Sequence, residues 1–401
     1  MLAAGPVWRL KALYRPSNDR EFDVIEPTKS PFHSFRGSFQ DRLEPDYFAD
    51  RSNILANFVS RTHDHFWDPN DPAYIDFNVP FDMQSQSVMP FDTVPELRSS
   101  IADLLTPVQR IAFANDSAHW WLSGFLHGEQ GALYTAVALC DSLHDPSLVE
   151  YATNQAREEA RHVIAFSNYI QSRWGTPEQV NPVFEKLLTS IVTADKIHRK
   201  IIGMQVLVEG LAMGFMAQLY KRSNDPVLVR LAQLVMTDES FHHKAGKLWT
   251  EHALPDLSPE DRDDAEDWAL RCFQALMFNV FNPSQKQHLY KKYSLDLELV
   301  RTQLRSVYTD DVRRQEMADT YSVFRILTKA LMNSGVVTDR TRSEYGKWVD
   351  LEALTLDTSD AIEDAITSDG LAFITSINNL KKHRHKPVEL TAPQLVEARD
   401  E

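Results

Sequence analysis

Cysteine is almost missing from this sequence: Cys140 and Cys272 are the two present in 401 residues. Two thiols cannot build a disulfide framework, a Cys-rich zinc site or a four-thiolate iron–sulfur cluster. Both lie in apolar, helix-like stretches and read as reduced core residues. Glycine is scarce, at 13 residues, and apolar alternation of period two is convincing nowhere, which disfavours a sheet protein. No stretch approaches the roughly 18 uncharged apolar residues of a membrane span. The start, MLAAGPVWRLK, has neither a long apolar core nor a cleavage pattern. Basic charge is also short: 42 Lys and Arg against 57 Asp and Glu give −15. That balance denies a nucleic acid or an anionic membrane the basic face it would need. The expectation is a soluble, cytoplasmic protein with no nucleic-acid and no membrane partner.

What is there is helix-forming sequence with a 43% hydrophobic share, enough for a substantial core. Residues 1–92 are rich in Pro, Asp, Asn and aromatics and read as an irregular N-terminal arm, with one helix near 46–60. Residues 93–382 are helical almost throughout. The tail 383–401, HRHKPVELTAPQLVEARDE, is polar and reads as disordered, with its His-Arg-His solvated.

The middle of the chain repeats at an offset of 80 residues. HDPSLVEYATNQAREEARH begins at His144 and NDPVLVRLAQLVMTDESFH begins at Asn224. Under that offset Asp145-Pro146 falls on Asp225-Pro226, Glu159 on Glu239, His162 on His242 and Glu129 on Glu209. Each Asp-Pro reads as a helix start, because Asp caps free N–H groups and Pro suits the first helical position. The spacing predicts helices over 117–142, 146–173, 183–222 and 226–252, with further helices over 258–300 and 300–380.

The spacing also has a chemical consequence. Glu159 and His162, like Glu239 and His242, are three apart and share one helix face. Glu129 stands 16 residues before Asp145, and Glu159 and His162 stand 14 and 17 after it. At helical rise all three lie about 21–26 Å from the turn. The second copy repeats this relation around Asp225. Glu129 and Glu209 sit inside apolar stripes, where a carboxylate needs charge compensation. Few cations are at hand at that level; Arg161 is the exception. Four Glu and two His are the inventory of a dinuclear carboxylate bundle, and mixed oxygen and imidazole donors suit iron or manganese. Glu158 and Asp238, one residue before each motif, are candidates to hold the imidazoles from behind.

At these residues the chain resembles the ferritin-like di-iron carboxylate superfamily. That group includes ferritins, rubrerythrins, ribonucleotide reductase small subunits, acyl-carrier-protein desaturases, bacterial multicomponent monooxygenases and arylamine N-oxygenases. The resemblance covers about 117–250 and carries the whole six-ligand pattern. It implies an all-α, ferritin-like four-helix bundle whose metal ligands are Glu129, Glu159, His162, Glu209, Glu239 and His242. It implies two Fe ions, or an Mn/Fe pair, activating O2 as co-substrate after reduction by an external electron donor of reductase or ferredoxin type. It also implies a homodimer.

Departures narrow the choice. The position of the reductases' radical tyrosine is Phe166. The position of the arylamine N-oxygenases' extra histidine is Val235, and that of the monooxygenases' threonine is Met213. The expected activity is an oxygenase or oxidase that hydroxylates, N-oxygenates or desaturates a small organic substrate. Its rivals are a metal-storage or redox-protective protein, a reductase-small-subunit-like oxidase, and a structural bundle with a degenerate site. Phe125, Leu133, Phe166, Met213 and Phe215 are candidates for lining a substrate pocket. Gly203, Gly210 and Gly214 bracket Glu209 and predict a bulge, a channel or close helix packing there.

Overall fold

A computed structural model describes residues 65–309, 322–356 and 362–384, with residues 43, 59 and 312. The helix expected near 46–60 and the tail beyond 384 lie outside the described residues, apart from Val59, which is helical. Four long helices form the bundle: α1 (Pro107–Ser142), α2 (Pro146–Trp174), α4 (Ile197–Arg222) and α5 (Pro226–Ala253). The short α3 (Pro182–Val192) lies in the connection between the two pairs. After them come α6 (Pro259–Phe281), α7 (Gln287–Lys292), α8 (Leu297–Val307), α9 (Val323–Asn333), α10 (Arg342–Tyr345), α11 (Leu351–Thr355) and α12 (Ile362–Arg384). The described residues contain no strand. The described residues are all-α, a four-helix bundle with additional C-terminal helices.

Both Asp-Pro starts are observed. Asp145 Oδ1 accepts from the amides of Ser147 (2.8 Å) and Leu148 (3.1 Å). Asp225 Oδ1 accepts from Val227 (2.9 Å), and its carboxylate also takes Tyr169 and Arg173 from α2. The same residue type thus starts α5 and ties it to α2.

Four expected helical spans differ in extent. The first begins at Pro107, ten residues earlier than 117, because Thr106 and Gln109 form a reciprocal capping box with Pro107 at the first position. The span 183–222 is two helices. Lys200 donates to the carbonyl of Val192, so a cation from α4 satisfies the end of α3. The spans 258–300 and 300–380 are several short helices. Pro283 follows the end of α6, Ser294 at φ 57° follows α7, and Gly335 at φ 76° follows α9. A proline cannot continue a hydrogen-bonded helix, and a left-handed residue turns the chain away from one.

Within the bundle α1 packs on α2, and α4 on α5; α9 lies along α4 and α12 along α5. One core cluster joins Phe166, Tyr169 and Ile170 of α2 to Leu228, Leu231 and Val235 of α5. Each fully buried side chain of this kind is worth about 1.5–3 kcal/mol. The arm enters the same cluster through Trp67, Tyr74, Ile75, Val88 and Met89. Its described end, residues 65–92, is therefore bound into the core. Helix α4 is long and apolar enough to cross a membrane, but 83% of that window is buried inside the protein. Its apolarity serves the core. Cys140 and Cys272 are free thiols; Cys272 is buried and Cys140 half-buried.

Candidate metal centre

Each pair of bundle helices brings one lone glutamate level with one Glu-x-x-His pair, and the two sets meet at the bundle centre. Glu129, Glu159, His162 and Glu239 offer ligand atoms within 4.8 Å of one another, and so do Glu159, Glu209, Glu239 and His242. Glu159 and Glu239 belong to both groups. All six residues are buried.

The imidazoles are held from behind, each by the other repeat's acid. His162 Nε2 lies 2.9 Å from Asp238 Oδ2, and His242 Nε2 lies 2.8 Å from Glu158 Oε2. With Nε2–H donating to a carboxylate, Nδ1 is left to face inward. His162 Nδ1 lies 3.0 Å from Glu239 Oε1 and 3.3 Å from oxygens of Glu129 and Glu159. His242 Nδ1 lies 3.0 Å from Glu159 Oε1. So many acceptors around an imidazole nitrogen require a cation between them, either a proton or a metal ion.

The electrostatics say the same. Burial pushes Glu129 and Glu209 well above the usual carboxylate range; repulsion from Glu239 and Glu159 adds to it. Burial opposes charge on His162 and His242, yet the surrounding carboxylates outweigh it and raise both well above the ordinary histidine value. Burial likewise works against ionised Glu159, but the two histidines hold its carboxyl below the usual range. Glu209 Oε2 is buried without a hydrogen-bond partner among the described residues, and Glu159 Oε2 and Glu239 Oε1 have only the close approach of His162 Nδ1. Orphaned buried oxygens of this kind fit divalent ions with oxygen and imidazole ligands.

Asp238 does more than hold His162. Its Oδ2 also accepts from Arg161 (2.6 Å) and from the Trp67 indole (2.8 Å). Arg161 further approaches Glu158 at 3.9 Å. The cation noted in the sequence therefore serves both supporting acids and leaves the central carboxylates to another charge. Trp67, from the arm, was not foreseen; an aromatic in an irregular stretch carries no signal of its target.

Two glutamines were also missed. Gln155 Nε2 donates to Glu209 Oε1 (3.0 Å) and weakly to Glu159 Oε1 (3.3 Å), and Gln205 Nε2 donates to Gln155 Oε1 (3.2 Å). The 80-residue offset could have exposed them. It places Gln155 on Val235, Phe125 on Gln205 and Phe166 on Gly246. One flank of the centre is thus polar and the other aromatic, with Phe125 and Phe166 rings 6.1 Å apart. Gln205 lies in a π-helical turn, Ile202–Val208, directly before Glu209. This is the bulge that the glycines around Glu209 suggested. Those glycines are closely packed as well: a Cβ on Gly203 would lie 2.7 Å from Ile191, and one on Gly214 2.8 Å from the Val323 backbone.

A cavity of about 70 Å³ opens on the aromatic flank, with Glu129, Glu209 and Glu239 in its wall. Of the expected lining residues, Phe125 and Phe215 line it. Phe166 and Met213 do not; both are fully packed in the core between α2, α4 and α5. Leu133 is half-buried and also away from the cavity. The helical faces of Phe166 and Met213 point into the helix–helix seam, which apolarity alone does not distinguish from a cavity wall.

No protein-family profile and no curated protein matches the chain. Among solved structures, similar ones include variants of an R2-like ligand-binding oxidase with a reconstituted Mn/Fe cofactor. Two of these share 19% and 18% identity at TM-scores of 0.38 and 0.40, covering 67% and 68% of this chain and 92% and 95% of those chains. Likeness at that level decides nothing by itself, and the function rests on the site's own geometry.

Proposed function

We propose that the chain is a dinuclear non-haem iron enzyme, with Mn/Fe as the alternative pair, that uses O2 to oxidise a small organic substrate by hydroxylation, N-oxygenation or desaturation. One observation carries the reading: four buried glutamates and two histidines converge beside an apolar cavity. Bound there, the ions would supply the redox chemistry of O2 that no amino-acid side chain provides.

The chain's own residues do the rest. Glu129, Glu159, His162, Glu209, Glu239 and His242 would hold the two ions. Asp238 and Glu158 fix the imidazoles so that Nδ1 points inward. The apolar wall keeps bulk water from the reacting face. Two cysteines give this chain no iron–sulfur centre, so electrons come from an external reductase or ferredoxin-type donor.

Metal analysis is the test. Protein from iron-fed cells should hold about two ions per chain, the number of ligand groups that converge, and Glu129→Ala should hold fewer. Chemically reduced protein should then consume O2. Protein that leaves such cells without bound metal sinks the proposal.

A further inference from the structure

The cavity beside the glutamates contains two polar groups that the fold leaves unused. Asn181 and Asn279 line it, and Asn181 Nδ2 and Asn279 Oδ1 are buried without a hydrogen-bond partner among the described residues. The orientation of Asn181 is fixed by its own helix. As the cap of α3, its Oδ1 accepts from the amides of Val183 (2.8 Å) and Phe184 (3.4 Å). Rotating the amide would sacrifice that cap, so Nδ2 remains a donor. Asn279 comes from α6, a separate wall. Leaving such groups unpaired in an apolar chamber is costly unless water or a ligand completes them.

Building on the oxidase reading above, we propose that this inner chamber takes a neutral group that both accepts and donates hydrogen bonds, on an otherwise apolar molecule. A carboxamide is the simplest such group. Its carbonyl oxygen accepts from Asn181 and its N–H donates to Asn279. A carboxylate there would face the wall glutamates. A hydrocarbon would leave both asparagines unpaired. At about 70 Å³ the chamber has room for only the reacting end, roughly five waters' worth of space. A second cavity of about 290 Å³ shares Trp120, Trp121, Phe125, Phe215 and Val280 with the first. The Phe215 ring lies 4.9 Å from Trp121 and 5.5 Å from Phe125, forming an aromatic partition between the chambers.

The test titrates metal-loaded, full-length protein with benzamide, benzoate and toluene. Binding is followed by tryptophan fluorescence, since Trp120 and Trp121 wall the chamber. Benzamide should bind at least tenfold more tightly than either of the others. Asn181→Asp keeps the capping oxygen but removes the N–H donor, and it should abolish the preference. Asn279→Leu should abolish it independently, which covers the case of an Asn181 variant that does not fold. No binding of benzamide, equal binding of the three probes, or a preference that survives both substitutions overturns the proposal. Metal content is measured on the same samples. Asparagine-dependent benzamide binding by a chain that holds no metal would support the chamber assignment while sinking the oxidase reading.

Discussion

At Asp238 a single carboxylate oxygen takes three donors, from His162, Arg161 and Trp67. Burial alone would raise this acid, but the Arg161 charge and the His162 hydrogen bond hold it below the usual range. Its acceptor capacity therefore rests on a full negative charge. Asp238→Asn keeps the size and removes that charge. His162 would lose its orienting partner, and Arg161 would be left as a buried cation short of a counter-charge. Changes of this kind behind a metal-bound histidine typically weaken metal binding about 10–100-fold. Competition with a chelator of known affinity measures the loss; unchanged affinity would show that the acid does not support the ligand. Glu158→Gln should act in the same direction on His242, since the two acids occupy equivalent positions of the repeat.

Among the elements, the π-helical turn of α4 depends on a neighbour with no side chain. A Cβ on Gly246 of α5 would lie 2.6 Å from the Gln205 Cβ, closer than real side chains come. Gly246→Ala should push the turn away and with it the Gln205–Gln155 support of Glu209. A destabilisation of about 1–3 kcal/mol is expected for overpacking, read as a lower melting temperature together with weaker metal binding. Gly124→Ala on α1 is the contrast. Nothing lies within 4 Å of its added Cβ, so that variant should gain up to roughly 1 kcal/mol from helix propensity. The segment before α1 is tied down differently. Buried Glu96 pairs with buried Lys286 and accepts from Tyr290 (2.7 Å). Burial would raise Glu96, but Lys286 and Tyr290 bring it below its ordinary value. A depressed folded-state value means that this stability is complete above the unfolded carboxyl range of about 4.3. It is lost as the pH falls through the folded value. Lys286→Met reverses the sign, because an unpaired buried Glu96 is forced to hold its proton. The gap in melting temperature between wild type and Lys286→Met should therefore widen from pH 4 to pH 7. A constant gap would mean that Glu96 is not ionised in the native protein.

Over the whole molecule, what could be read from sequence was what the repeat states twice. The Asp-Pro starts, the level of the six ligand candidates and the two acids behind the histidines all follow from helical geometry and an 80-residue offset. What could not be read depends on packing between distant segments. Trp67 reaches Asp238 across 171 positions, and Lys200 closes α3 from another helix. The side of the centre that is open depends on which of two apolar faces meets a neighbour, and for this reason Phe166 and Met213 resemble cavity wall in the sequence. That same convergence determines what metal removal does. Without ions, four carboxylates and two imidazoles from all four bundle helices must share protons in a buried space. The fold persists, because the apolar clusters on either side do not depend on the centre. It should nonetheless be weaker, since ions that bind only the native state add stability by mass action. At free metal 100-fold above the dissociation constant, one site adds about 2.7 kcal/mol. For a chain of 401 residues one such site shifts melting by about 3 °C, and two by about 6 °C. Calorimetry before and after exhaustive chelation reads the shift, and adding back Fe or Mn should restore it where Ca does not, because calcium does not favour imidazole. A melting temperature indifferent to chelation would mean that protons alone hold the centre together.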